Sequence, residues 1–195
     1  LVKRVGEEMD DLYLKKLLPL SFNRNSIKNA KNFKILYSPL HGTGITLLPK
    51  ALESFGFEQV FIYEEQATID GNFPTIDSPN PEEQTTMETV ILEGERLGVD
   101  LVLSTDPDAD RMGIAARNNE GKLEAMNGNM TASLLTYYVL SEWLKNKRFQ
   151  GNEFIAKTIV TTDLLKSIAV DFNVEYFEVL TGFKYIAEKI REHEG

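Results

Sequence analysis

Three aspartates at alternate positions, Asp106, Asp108 and Asp110, are the residues of this chain best suited to chemistry. They follow the largely apolar run Val99–Leu103, after Ser104 and Thr105. Since alternate residues of an extended segment point to the same side, the three carboxylates are predicted to converge on one point. Like charges at that range repel, and a bound divalent cation relieves the repulsion. Hard carboxylate oxygens favour Mg²⁺, Mn²⁺ or Ca²⁺ over a soft metal.

Arg111 follows the last aspartate and adds a fixed cation that can grip phosphate through two hydrogen bonds. A metal and an arginine at one strand end indicate phosphate chemistry. A solvated turn rich in aspartate would have the same local sequence. An EF-hand loop needs glycine at position six and glutamate at position twelve, where this chain has Arg111 and Arg117, so that interpretation fails. Haloacid-dehalogenase-type phosphatases also place Asp-x-Asp after an apolar strand, and this alternative stays open.

Two further loops carry polar residues that could serve a phosphate site. His41 could donate to phosphate or shuttle protons, although a lone histidine is more often structural. Gly42 and Gly44 would let backbone N–H groups approach an anion, and a tight strand-to-helix turn explains them about as well. The segment 181–184 reads Thr-Gly-Phe-Lys. It could hold phosphate or sugar hydroxyls at a helix N-terminus, or simply cap a surface helix.

Composition limits the classes of partner. The chain has 195 residues, of which 42% are hydrophobic, and a net charge of −9. This charge argues against nucleic acid and anionic membranes, since both attract a basic face. No apolar run approaches the roughly 20 residues that a membrane-spanning helix needs. The chain contains no cysteine, which fits a reducing cytoplasm. We therefore expect a cytoplasmic protein.

Periodicity predicts elements that would bring these loops to the ends of strands. Strands alternate with helices, which favours an α/β fold: two consecutive α/β domains with mixed, largely parallel sheets flanked by helices. The domain boundary is predicted near residues 118–128, and the domains are written as residues 1–120 and 121–195. In such sheets ligands gather beyond the carboxyl ends of the strands. The predicted helices are 1–18, 45–55, 82–97, 129–146, 163–170 and 181–190, and the predicted strands are 33–37, 59–63, 101–104, 112–116, 154–160 and 174–179.

Taken in order, the loops resemble those of the α-D-phosphohexomutase superfamily, and within it the phosphoglucomutase/phosphopentomutase branch. The resemblance spans nearly the whole chain. The matching motifs, in chain order, are Ser-Pro-Leu-His-Gly-Thr-Gly, Gly-Asn-Phe-Pro with Ser-Pro-Asn-Pro-Glu-Glu, Asp-Pro-Asp-Ala-Asp-Arg, Asn-Gly-Asn and Leu-Thr-Gly-Phe-Lys. Asp-Pro-Asp-Ala-Asp-Arg is highly specific in that setting, and the other motifs are strong only jointly.

The resemblance implies a function for each loop. Enzymes of the superfamily have four domains, and this chain resembles the second and most of the third. The aspartates of the acidic loop would be the Mg²⁺ ligands, and Arg111 would lie against a phosphoserine or the transferring phosphoryl group. His41 would lie close to the active cleft in a catalytic role. The sugar-phosphate site of the third domain would include Thr181, Gly182, Phe183 and Lys184.

The resemblance also identifies what the chain lacks. The nucleophile of the superfamily lies in a Thr-Ala-Ser-His-Asn-Pro loop, and Ser133 is followed by Leu134-Leu135 in a helical pattern, so Ser133 is rejected as the nucleophile. The chain begins with leucine, and a glutamate-rich specificity loop would come just after Gly195. We therefore expect an inactive piece of a mutase whose partners are a phosphorylated glucose, mannose or pentose and the remaining domains of the same polypeptide. A non-enzymatic metal or sugar-phosphate binding module is the other alternative.

Overall fold

The computed structural model describes residue 2 and residues 5–193, and it divides into two compact units, one ending at Asn127 and one beginning at Gly128. Each unit is built on its own sheet. Among the described residues, three strand pairs are parallel and two are antiparallel. The predicted α/β class, with mixed, largely parallel sheets flanked by helices, is confirmed.

The first unit has a five-stranded sheet in the order β2-β1-β3-β4-β5. Strands β2, β1 and β3 run parallel, and β3, β4 and β5 follow one another as antiparallel neighbours. Its elements are α1 (Glu7–Leu17), α2 (Arg24–Asn29), β1 (Lys34–Ser38), α3 (Leu48–Phe55), β2 (Gln59–Ile62), α4 (Gln84–Leu97), β3 (Leu101–Thr105), β4 (Met112–Arg117) and β5 (Leu123–Met126), with short 3₁₀ turns at Leu18–Leu20, Thr43–Thr46 and Glu64–Gln66.

Helix α4 covers one face of this sheet and forms the main core. The helix ends where Gly98 takes a left-handed conformation with φ of +63°, a cap that glycine adopts without steric cost. The turn places Val99 back against the helix. Burial of the apolar side chains of this core away from water is the main contribution to the stability of the unit. The buried core residues are Leu36, Met87, Val90, Val99, Val102, Ala115 and Leu123.

The second unit has a two-stranded parallel sheet flanked by three helices in the described residues. Leu140 on one helix packs with Leu165 and Ile168 on another to form its core. None of the described helices, including the longest, is apolar enough over sufficient length to cross a membrane. The elements are α5 (Gly128–Lys145), β6 (Phe154–Thr158), α6 (Leu164–Asp171), β7 (Glu175–Val179) and α7 (Phe183–His193).

The division between the two units lies within the range 118–128 in which the sequence places the domain boundary. Strand β5 pairs with β4, with Ala125 opposite Ala115. A boundary at residue 120 would therefore remove an edge strand from the first sheet. The structure divides after Asn127, which keeps that sheet whole.

Several local predictions differ from the structure. The polar stretch after α1 contains helix α2, because the side chain of Asn23 accepts a hydrogen bond from the backbone of Ser26 at 3.4 Å and caps the helix. Helix α1 begins at Glu7, and the part of the predicted helix at residues 1, 3 and 4 lies outside the described residues. A 3₁₀ turn occupies the start of the helix predicted from residue 45, and α3 begins at Leu48.

The edge strand β5 is tied to α4 by Glu95, which gives a testable dependence of stability on pH. Glu95 accepts hydrogen bonds from the backbone of Leu123 at 2.6 Å and from Arg117 Nη1 at 2.9 Å. The bond from Leu123 and then the one from Arg117 lower the pKa of Glu95 below its ordinary 4.5. A lowered folded-state pKa contributes stability that is fully present above the unfolded value and is lost as pH falls through the folded value.

We therefore expect Glu95→Gln to destabilise the protein near neutral pH by an amount that shrinks as pH falls below about 4.5. Urea denaturation of both proteins between neutral and acidic pH measures the difference in unfolding free energy. Glu88→Gln, an exposed change on the same helix, is the matched control. A difference in unfolding free energy that stays constant to the lowest pH at which both proteins fold would show that the ionised form of Glu95 does not contribute to stability.

Candidate metal centre

The acidic loop connects the antiparallel strands β3 and β4, whose last ladder pair is Thr105 and Met112. The loop is a tight turn rather than an extended segment. The backbone of Asp106 donates to the carbonyl of Arg111 at 3.2 Å, and Ala109 donates to the carbonyl of Asp106 at 3.0 Å. Ala109 has φ of +60°, a left-handed conformation that residues other than glycine rarely adopt.

The turn brings the three aspartates together. One carboxylate oxygen from each of Asp106, Asp108 and Asp110 lies within 4.8 Å of the others. Asp106 is 1% exposed, while Asp108 and Asp110 face solvent. The sequence predicted that the carboxylates converge but attributed this to an extended strand. The cause in the structure is the left-handed turn at Ala109, which folds the second half of the loop back towards Asp106.

Arg111 is fixed to the buried member of this cluster. Its Nε donates to Asp106 Oδ2 at 2.8 Å, and its backbone N–H donates to Asp106 Oδ1 at 3.1 Å. The same Nε lies 3.6 Å from Asp110 Oδ1. The Arg111 side chain is 54% exposed, so the guanidinium is anchored at Nε and its outer edge faces solvent. That edge can donate to an anion.

The pKa values of the acidic residues diverge. Burial would raise the pKa of Asp106, but hydrogen bonds from the backbone and guanidinium of Arg111 outweigh it and lower the pKa. A hydrogen bond to Asp106 raises the pKa of Asp110, with partial desolvation and the charges of Asp108 and Asp106 acting in the same direction. The ionised form of Asp106 is therefore stabilised, whereas the ionised form of Asp110 is destabilised by its acidic neighbours. A bound cation would relieve that repulsion.

The loop after β1 packs against the acidic loop. Thr43 donates to the carbonyl of Pro107 twice, from its backbone N at 2.8 Å and from Oγ1 at 3.0 Å. A Cβ added to Gly42 would lie 2.3 Å from Pro107 Cα, and one added to Gly44 would lie 2.6 Å from Thr105 Oγ1. The prediction that these glycines open a path to an anion stays untested. The structure shows that Gly42 allows the close contact with Pro107 of the acidic loop, whereas Gly44 lies against the side chains of Tyr37 on β1 and Thr105 on β3.

His41 lies at the start of the same loop, with its side chain buried. Its Nδ1 is 3.0 Å from the carbonyl of Thr68, and its Nε2 is 2.9 Å from Thr75 Oγ1. Both ring nitrogens are therefore bonded within the protein. The catalytic role of His41 remains a prediction.

The predicted sugar-phosphate residues belong to the second unit, where they follow β7. Gly182 has φ of +133°, and α7 begins at the next residue. Phe183 is 74% exposed, Thr181 is exposed, and Lys184 Nζ lies 4.9 Å from the ring centroid of Tyr185. The structure places the four residues in one turn at a helix N-terminus. Their binding role remains a prediction.

Lys157 was not identified from the sequence. This buried lysine ends the apolar part of β6, and its Nζ contacts Glu178 Oε2 at 2.6 Å, Asp163 Oδ1 at 2.9 Å and the carbonyl of Thr161 at 2.7 Å. The bonds to Glu178 and Asp163 raise the pKa of Lys157 despite its burial. Asp163 stands at the N-cap position of α6, but its side chain makes no capping hydrogen bond to that helix. A lone lysine in an apolar strand was the available signal.

Comparison with known proteins identifies the family. The sequence family of phosphoglucomutase/phosphomannomutase, alpha/beta/alpha domain II, matches residues 11–121 of this chain. The sequence family of alpha/beta/alpha domain III of the same enzymes matches residues 127–195. The chain is 37% identical over 161 residues to a phosphoglucomutase from Staphylococcus aureus, an alignment that covers 83% of this chain and 28% of that relative. The two units are thus consecutive domains of one enzyme class. The chain belongs to the phosphoglucomutase/phosphomannomutase family.

Solved structures share the fold. One is a phosphoglucomutase/phosphomannomutase family protein from Burkholderia thailandensis, with a TM-score of 0.67 and 20% sequence identity. The alignment covers 92% of this chain and 36% of the Burkholderia chain. N-acetylphosphoglucosamine mutase from Aspergillus fumigatus, solved in complex with GlcNAc-6P and magnesium, matches 92% of this chain and 36% of its own, with a TM-score of 0.62 and 13% identity. The chain therefore spans about a third or less of the length of these relatives.

Proposed function

We propose that this chain is the metal-binding and sugar-phosphate-binding part of a Mg²⁺-dependent phosphosugar mutase. Such an enzyme would interconvert a sugar 1-phosphate and its 6-phosphate, or 5-phosphate for a pentose, through a phosphoserine and a bisphosphorylated intermediate. The observation that carries the proposal is the cluster of Asp106, Asp108 and Asp110, with ligand oxygens within 4.8 Å of one another and with Arg111 bound to it.

The cluster fits Mg²⁺ in chemistry and in size. Mg²⁺ binds oxygen at about 2.0–2.1 Å in an octahedron, which puts neighbouring ligands about 3 Å apart and opposite ligands about 4 Å apart. Carboxylate oxygens within 4.8 Å of one another are close to that spacing. Because the turn is fixed by backbone hydrogen bonds, little rearrangement is needed for the aspartates to bind one ion. We propose that water and a phosphate oxygen complete the coordination.

Phosphoryl transfer depends on positioning and on charge stabilisation, and the residues of the cluster can supply both. Arg111, held at Nε by Asp106, would direct its outer N–H groups towards the phosphoryl oxygens. Bound Mg²⁺ would offset negative charge on the same oxygens. The anchoring of Arg111 fixes the arginine and one metal ligand relative to each other before substrate arrives, which reduces the entropic cost of assembling the site.

The second unit would bind the sugar phosphate. We propose that Thr181, Gly182, Phe183 and Lys184 contact the substrate at the N-terminus of α7, where backbone N–H groups and the helix dipole favour an anion. The mutase from Aspergillus fumigatus solved with GlcNAc-6P and magnesium supports a phosphorylated sugar as the ligand class. The absence of cysteine fits the cytoplasmic location that we also propose.

Titration of the isolated chain with MgCl₂ and MnCl₂ in a calorimeter tests the metal site. We expect one ion per chain with weak affinity, because the proposed phosphate ligand is missing and Mg²⁺ gives up its water reluctantly. Saturable binding of one ion would support the site. Heats that match dilution at millimolar metal would contradict it.

An assay of the isolated chain tests the assignment of the chemistry. With glucose 1-phosphate, glucose 1,6-bisphosphate and Mg²⁺, we expect no formation of glucose 6-phosphate, because the proposed nucleophilic serine is not among the residues of this chain. Turnover would refute the proposed division of labour between this chain and further domains. Trapping of beryllofluoride on Asp106 or Asp108 would instead favour a phosphatase that uses an aspartate as its nucleophile.

A further inference from the structure

The proton on the imidazole of His41 can be located from its hydrogen bonds. Nδ1 faces the carbonyl oxygen of Thr68, which can only accept, so Nδ1 carries the hydrogen. Nε2 faces the hydroxyl of Thr75. That hydroxyl accepts a hydrogen bond from Gln66 Nε2 at 3.2 Å and has one hydrogen of its own to give. Of the described partners of Thr75 Oγ1, only His41 Nε2 can accept that hydrogen, which favours the neutral Nδ1–H tautomer of His41; a second hydrogen on Nε2 would leave the Thr75 hydrogen to solvent.

The rest of the buried polar network agrees with this order of donors. Ser38 donates from its hydroxyl to Gln66 Oε1, and the backbone of Leu40 donates to Ser38 Oγ at 3.1 Å. Each hydroxyl in the chain from Leu40 to His41 then accepts one hydrogen bond and donates one. A neutral imidazole at the end of the chain completes it without an unsatisfied group.

The ring holds a backbone in an unfavourable conformation. Leu40 has φ of +47° and His41 has φ of +62°, in the left-handed region that residues with a Cβ rarely adopt. Two backbone bonds fix His41 to the connection after β2: its N–H donates to the carbonyl of Gln66 at 3.0 Å, and its carbonyl accepts from Asp70 at 3.1 Å. The two hydrogen bonds of the imidazole ring, to Thr68 and Thr75, also reach the connection after β2. Four hydrogen bonds therefore hold His41 to that connection.

This attachment leads directly to the acidic loop. Gly42 follows His41 and packs against Pro107, and Thr43 donates to the Pro107 carbonyl from both its backbone N–H and its hydroxyl. Pro107 stands between the first two aspartates of the cluster. The conformation at His41 therefore sets the position of the surface against which the acidic loop rests.

We propose that His41 is a positioning residue: as the neutral Nδ1–H tautomer it fixes the loop of residues 41–44 against Pro107 and so holds the acidic loop in the shape that binds a divalent cation. Both ring nitrogens are used inside the protein, so His41 acts by holding the loop and not by proton transfer to a substrate. The effect on metal binding rests on the proposed function, whereas the effect on the loop does not.

Nitrogen-15 NMR of the unaltered chain tests the tautomer directly. The chain has two histidines, and a His193→Gln variant leaves His41 as the single imidazole. We expect a protonated Nδ1, an unprotonated Nε2 and slow solvent exchange of the Nδ1 hydrogen at neutral pH. A ring protonated at Nε2 alone, or at both nitrogens, would overturn the proposed order of donors.

Amide hydrogen exchange at Thr43, whose N–H is bonded to Pro107, tests the positioning role without any metal. In His41→Gly the left-handed backbone is permitted but the ring is lost, and we expect exchange at Thr43 to be about tenfold faster or more. His41→Asn also tolerates that backbone and provides a second variant should the first fail to fold. Thr75→Val should change exchange in the same direction, while Thr85→Val, a matched threonine outside the network, should not.

Manganese affinity of the same variants links the loop to the cluster. We expect His41→Gly to bind Mn²⁺ about tenfold more weakly than the unaltered chain, comparable to the loss of an outer-shell partner. Exchange at Thr43 and Mn²⁺ affinity that both stay at unaltered values in the two His41 variants would overturn the proposal. If the unaltered chain binds no Mn²⁺, the proposed function fails, and the tautomer and exchange measurements still decide whether His41 positions the loop.

Discussion

Replacement of Asp108 by asparagine is expected to weaken binding of Mg²⁺ or Mn²⁺ by more than about tenfold, since even outer-shell partners of metal ligands are worth about 10–100-fold in affinity. The substitution keeps the shape of the side chain and removes one charged oxygen ligand from the cluster. Asp108 is exposed, and within residues 5–193 its carboxylate has no hydrogen bond comparable to those of Asp106, so the fold should tolerate the change. Calorimetric titration with MnCl₂ measures the affinity.

Asp77→Asn is the matched control for this experiment. Asp77 is exposed, lies in the same unit and outside the cluster, and its replacement changes the net charge by the same amount. We expect its affinity to stay within about twofold of the unaltered chain, because a solvated charge at a distance is screened. Equal affinities of the Asp108 and Asp77 variants would exclude the aspartate cluster as the metal site.

Most elements of the fold could be predicted because their signals are local. Strand β3 is an apolar run directly before the acidic loop, and α4 ends at Gly98, where a helix stop was expected. Strand β5 was missed because it has four residues, with only Leu123 fully buried. What makes it a strand is its pairing with β4 and the hydrogen bond from Leu123 to Glu95, and both depend on tertiary structure.

The candidate metal ligands could be predicted from the sequence, but the hydrogen bonds and packing contacts that hold them in place could not. The spacing of the three aspartates indicated convergence, and the sequence placed Arg111 next to them. The bond from Arg111 to Asp106 could not be inferred, because it depends on the left-handed turn at Ala109. The contact of Thr43 with Pro107 joins residues far apart in sequence and belongs to the packing of two loops, which no local pattern encodes.

Gly42 should be the glycine least tolerant of a methyl group in the acidic-loop region, and the reason is packing rather than backbone freedom. Its φ of −98° and ψ of −177° are extended values that alanine adopts without strain. A Cβ there would nevertheless lie 2.3 Å from Pro107 Cα and 2.6 Å from Pro107 O, and backbone atoms cannot turn away as a side chain can. We expect Gly42→Ala to lower the free energy of unfolding by about 2–3 kcal/mol, near the upper end of overpacking effects.

The same substitution separates a structural role of the loop from a role in the cluster. Gly71→Ala is the matched control, because nothing lies within 4 Å of its added Cβ, and alanine at an open, permitted position is neutral or slightly stabilising. Urea denaturation gives the stability of both variants, and MnCl₂ titration under native conditions gives the metal affinity. If the methyl group displaces Pro107, Gly42→Ala loses affinity even where it remains folded, because Asp106 and Asp108 flank that proline. A Gly42→Ala protein as stable as Gly71→Ala would show that the two loops do not pack as closely as these distances require.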